Sequence, residues 1–159
     1  MGDGREPAST VTAAVVNAVE RALNGGGDVA RERLAELWAG LAPDDFFHRC
    51  VVAHYLADLQ SEPRSELLWD QLALEAALAA PAEAFDGRIP DVTRDAFLPS
   101  LHLNLASSHE RTLNLDLARR HAVLALQATA CLPATPLAEM TRAAILRIAV
   151  RLGVPGDSR

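Results

Sequence analysis

At 159 residues the chain is long enough for one domain with a buried core, and short for more than one. Half of it is apolar but only 4% is aromatic, which suits closely packed helices and excludes a large β-sheet rich in aromatic residues. The net charge is −6 and every cation is Arg, with no clustered basic patch, which excludes nucleic acid as the main partner.

In chain order, the residues from Ala8 to Asn24 predict a first helix, with Ser9 or Thr10 as cap and Val11, Val15, Ala18, Val19 and Ala22 along one side. Gly25 to Gly27 end it; with no GK[ST] ending and no preceding strand, they form a helix-to-helix turn and not a phosphate loop. Asp28 is expected to cap a second helix with Leu34, Leu37, Trp38 and Leu41 as its apolar stripe. Pro43, Asp44 and Asp45 open a third helix, the acids complementing its dipole, and Pro63 stands in the first turn of a fourth. The segment 81–97, broken by Gly87 and Pro90, is expected to be irregular with room for one helical turn. A fifth helix is expected from about Pro99 to Leu113 and a sixth after the cap Asn114. The seventh has Thr135 as cap, Pro136 at its first position, and Gly153 and Pro155 as its stop. No uncharged run reaches the roughly 20 residues needed to cross a bilayer, so a cytoplasmic protein without a membrane partner is expected. Cys50 and Cys131, far apart and outside any CxxC, suggest free buried thiols and neither a disulfide framework nor a zinc site.

Sliding the chain by 49 places sets Leu56 and Ala57 on Leu105 and Ala106, Ala73 on Ala122, and Ala76 on Ala125. In the second copy Leu105, Ala106, His109, Leu115, Ala118, Ala122, Ala125 and Leu126 fall where the tetratricopeptide (TPR) motif carries its small, apolar and aromatic residues. That stretch resembles a TPR unit, although the motif's Trp is His102 and its turn Gly is Leu113. The resemblance implies an all-α domain of about seven helices, arranged as antiparallel hairpins in a right-handed superhelical array with a C-terminal capping helix. Its parts are a first hairpin over 8–41, a second over 43–80, a linker over 81–97, the best-matching hairpin over 98–131 and the cap over 135–152.

The resemblance also implies a function. The first helix of each TPR hairpin lines a concave face that binds a peptide or a partner helix, and here that wall is Val51, His54, Asp58, Ser61, Ser100, Leu103, Ser107, Glu110 and Arg111. With Arg111 almost the only cation, the expected partner is a neutral to basic protein segment with an apolar anchor. The same pattern directs His102, His109 and His121 to helix packing or to the outer helix, so that they do not converge. His102 and His109 stand about 10 Å apart by helical rise, too far to share one metal ion. The expectation is a non-catalytic interaction module with no metal or cofactor. Two alternatives stand beside it: a homodimer, motivated by an apolar stripe of Ile145, Ile148 and Leu152 on the last helix, and a helical enzyme or metal or ligand binder centred on His54 and Asp58 at i, i+4.

Overall fold

A computed structural model describes residues 8–89 and 92–155 of the chain. Among them are seven α-helices, α1 (Ala8–Leu23), α2 (Gly27–Gly40), α3 (Phe46–Asp58), α4 (Pro63–Ala79), α5 (Arg94–Arg111), α6 (Leu115–Ala128) and α7 (Pro136–Arg151), with short 3-10 turns at Ala82–Phe85 and Thr129–Cys131 and no strand.

Local signals place most of the boundaries. Thr135 accepts a hydrogen bond from the Ala138 N–H at 3.2 Å with Pro136 as the first residue of α7, and Pro63 opens α4. Four expected starts move. Thr10 lies inside α1, which begins at Ala8, instead of ahead of it. Asp28 falls in the first turn of α2, and the capping position is Gly26. Pro43 and Asp44 precede α3, whose cap is Asp45. The start of α5 differs most. Its cap is Thr93, so the chain is helical from Arg94, inside the segment expected to be irregular, and Pro99 lies within the helix, where it has no N–H to return to the preceding turn. The expected breaker Pro90 lies outside the described residues. Leu113, in the turn between α5 and α6, takes φ +64, a left-handed conformation that favours glycine.

The connections 24–26, 59–62 and 112–114 are short, so α1 with α2, α3 with α4, and α5 with α6 pack as antiparallel pairs. Helix α4 packs on α5, and α7 lies against both α5 and α6. One core gathers Val15, Leu34, Phe47, Val52, Leu56, Phe85 and Leu101, with the Phe85 ring edge-on to Phe47 at 5.2 Å. A smaller one gathers Ala106, Ala118, Ala122, Ile148, Ala149 and Leu152. Ala106, Ala118 and Ala122 carry no exposed surface, and side chains of that size let helices approach closely. Ile145, Ile148 and Leu152, expected as an unpartnered stripe, are buried within the chain, because α7 turns that face onto α5 and α6; the stripe therefore offers nothing to a second copy. Of the two thiols only Cys50 is buried, where desolvation pushes its pKa up; Cys131 is exposed.

Candidate functional site

Helix α3 is buried along most of its length, His54 included, and its last turn reaches the surface with Asp58. Spaced i, i+4, they share one face. Across from them α5 presents Ser100, Leu103 and Asn104, and the start of α7 closes the space with Leu137, Ala138 and Thr141. A recess of about 360 Å³ lies between these elements, walled by Tyr55, Phe97, Leu103, Leu132 and Leu137, with His54, Asp58 and Asn104 as its polar part.

Asn104 is the hub beneath it. Its Nδ2 donates to Asp58 Oδ1 at 3.3 Å and to Asp70 Oδ1 at 3.3 Å, and lies 3.5 Å from His54 Nδ1. One amide nitrogen thus stands among three polar partners. Asp70 comes from α4 and is 1% exposed; Ser108 Oγ donates to its Oδ2 at 2.5 Å and also reaches Glu66 Oε1 at 3.2 Å. Burial pushes the Asp70 carboxyl up to about 6 against the hydrogen bonds from Ser108 and Asn104, and Asp58 adds to the rise. Burial likewise holds the His54 imidazole below its ordinary range, against the attraction of Asp58. The His54 ring is held edge-on between Tyr55 and Phe97, with centroids at 5.2 and 5.0 Å.

The expected groove residues part company here. His54, Asp58, Ser100 and Leu103 meet at the recess. Val51 does not line it: at 4% exposed it belongs to the first core, because α3 turns that face inward. Ser61 lies instead on a shallow open depression beside Gly25 to Gly27, which Asp58 also borders. Ser107 is partly buried on α5 away from the recess lining. Glu110 accepts two hydrogen bonds from Arg151 of α7, at 2.8 and 2.7 Å, and this pairing holds its carboxyl below the usual range. Arg111 pairs with Glu66. The charges of Glu110 and Arg111 are therefore satisfied within the chain.

His54 and Asp58 are not joined as an acid–base dyad. Asn104 stands between them and takes hydrogen-bonding contact from both sides, and Ser108 is buried against Asp70. A linked chain does occur elsewhere, unforeseen from the sequence: Thr12 Oγ1 lies 2.8 Å from His48 Nε2, and His48 Nδ1 lies 2.8 Å from both oxygens of Asp45. It has the order of a nucleophile, base and orienting acid. The His48 ring is only 1% exposed, and the chain pins α1 to α3. The signal for it was the Asp45-to-His48 spacing at a helix start, where a capping acid meets the side chain three residues on.

The three histidines expected to stay apart also meet. His121 of α6 lies between His102 and His109 of α5, bridging the two turns that separate them. Among the described residues no group of three or more His, Cys, Asp or Glu is placed to hold a metal ion, and no helix is long and apolar enough to cross a membrane. Comparison with known proteins gave no match: no family model, no curated protein and no solved structure is significantly similar to the chain.

Proposed function

We propose that the chain is a non-catalytic interaction module of the cytoplasm that takes a short segment of a partner protein into the recess between α3, α5 and the start of α7. The observation that carries this reading is the make-up of the recess: apolar walls from Phe97, Leu103, Leu132 and Leu137 next to Asp58, whose exposed carboxylate has no cation partner among the described residues. An apolar side chain of the partner fills the recess and an adjacent basic residue meets Asp58, so affinity comes from burial and orientation from charge. In this reading the three helix pairs stack as TPR-like units. The partner occupies only the end of the concave face near His54, since Glu110 and Arg111 are engaged with Arg151 and Glu66.

Selection from a random displayed peptide library tests it. The full chain is expected to enrich a consensus with a large apolar residue beside Arg or Lys. Leu103→Glu, once shown by circular dichroism to be folded, is expected to lose the consensus, and Asp58→Ala to lose only its basic position. Absence of any consensus, or the same consensus on both folded variants, overturns the reading.

A further inference from the structure

His102 Nδ1 and His121 Nδ1 face each other at 3.0 Å, with ring centroids 5.3 Å apart. At that separation one nitrogen donates and the other accepts, so the pair holds a single proton in the contact. A second proton there would set two N–H groups against each other. The His109 ring stacks on His121 at 5.5 Å with planes 13° apart, and its Nδ1 is buried with no hydrogen-bond partner. A proton on His109 Nδ1 would therefore be buried without an acceptor.

The surroundings offer no compensation. On α6 itself Arg120 adds positive charge beside His121. From α4, Glu66 is paired with Arg111, and Asp70 is bonded to Ser108 and Asn104. From α7, Arg151 holds Glu110, and Arg142 holds Glu139 and the Leu132 carbonyl. The turn at Ala82–Phe85 carries only the exposed Glu83, and the one at Thr129–Cys131 carries no acid. Among the described residues, no carboxylate acts on the three imidazoles.

We infer that the His102, His121 and His109 contact is a proton-operated joint between α5 and α6, through which mild acid loosens α6 and α7 from the rest of the fold. Beyond the joint, α6 and α7 are held by the small alanine core and by the pairing of Arg151 with Glu110. Burial first, then the neighbouring His102, His109 and Arg120, push the His121 imidazole down to about 4, and burial pushes His102 and His109 down as well. The sign follows: the unfolded chain takes up these protons near pH 6.5 and the packed joint does not, so the stability is complete above that pH and lost as pH falls toward 4. For His121 alone the equilibrium at pH 5 moves by about 30-fold toward opening.

Amide hydrogen exchange on the full chain, expressed as protection factors at pH 7.5 and 5.0, tests the joint. In the wild type the protection of α6 and α7 is expected to fall at least about tenfold relative to α3, and His121→Gln, whose amide can still accept from His102 but takes no proton, is expected to shrink that difference to what His102 and His109 contribute. Equal loss in all helices, or the same selective loss in His121→Gln, overturns the inference. Should that variant fail to fold, the wild-type imidazoles can be titrated directly by NMR. A His121 midpoint below pH 6 supports the joint, and one at or above pH 6 overturns it.

Discussion

Asp70 shows how one side chain ties the site to the stability of the fold. It sits 1% exposed between α4 and α5, bonded to Ser108 and Asn104, and its carboxyl is pushed up to about 6 chiefly by burial. Below that pH the protonated acid can donate to Ser108 Oγ, which frees the Ser108 hydroxyl to donate to Glu66. Above it, Ser108 donates to the Asp70 carboxylate. The fold keeps a proton that the unfolded chain gives up near pH 3.8, so this contribution is full in acid and lost as pH rises through about 6. Asp70→Asn keeps an oxygen for Asn104 and carries no charge. It is expected to be more stable than the wild type at pH 8 by about 1–3 kcal/mol and nearly equal to it at pH 4. Thermal or urea unfolding at the two values checks this, and a difference independent of pH would mean that the buried charge is not its source. Position 70 was not legible as part of the site. His54 and Asp58 are four apart and announce a shared face, whereas Asp70 and Asn104 are 34 residues apart and meet only through the packing of α4 on α5.

At the level of elements, the sequence was most readable where a helix starts or stops by local chemistry. Thr135 with Pro136, Pro63 and the glycines at 25–27 work within a turn or two, and their consequences are in place. The start of α5 has a local cap in Thr93 and draws on tertiary contact as well. Pro99 reads as a first-turn residue, yet Phe97 packs on Phe85 at 6.4 Å and on His54 at 5.0 Å, contacts that hold the turn ahead of the proline in helical form. The start of α3 combines the two kinds of information. Asp45 caps the helix by accepting from the His48 N–H, and the same carboxylate grips the His48 ring, which bonds Thr12 of α1. Burial works to raise the Asp45 carboxyl, but hydrogen bonding and attraction from His48, with a smaller attraction from Arg88, hold it below its usual range. Asp45→Ala removes the cap and leaves a buried imidazole nitrogen unpaired, for an expected loss of about 2–4 kcal/mol. Asp45→Asn keeps a capping oxygen and is expected to lose less than half as much. Chemical denaturation of both variants decides the matter, and equal losses would show that the cap contributes nothing.

For the molecule as a whole, the question is whether its two cores unfold as one. Both tryptophans, Trp38 and Trp69, lie in the first half of the chain, packed edge-on at 5.1 Å. The smaller core is built from α5, α6 and α7. Helix α5 belongs to both cores, with Leu101 in the first and Ala106 in the second, and Asn104 and Ser108 fasten it to α4. At neutral pH, with the histidine contact intact, a defect in the second core should therefore be felt by the first. Ile148 is 2% exposed, and Ile148→Ala is expected to cost about 2–5 kcal/mol through lost burial and the cavity left behind. Measured in urea at pH 7.5, that cost should lower the midpoint equally by tryptophan fluorescence, which reports on the first half, and by circular dichroism, which reports on every helix. A fluorescence midpoint that stays at its wild-type value while the helical signal shifts would mean that α5 transmits nothing between the cores. The chain would then be two units joined by a helix and not one cooperative fold.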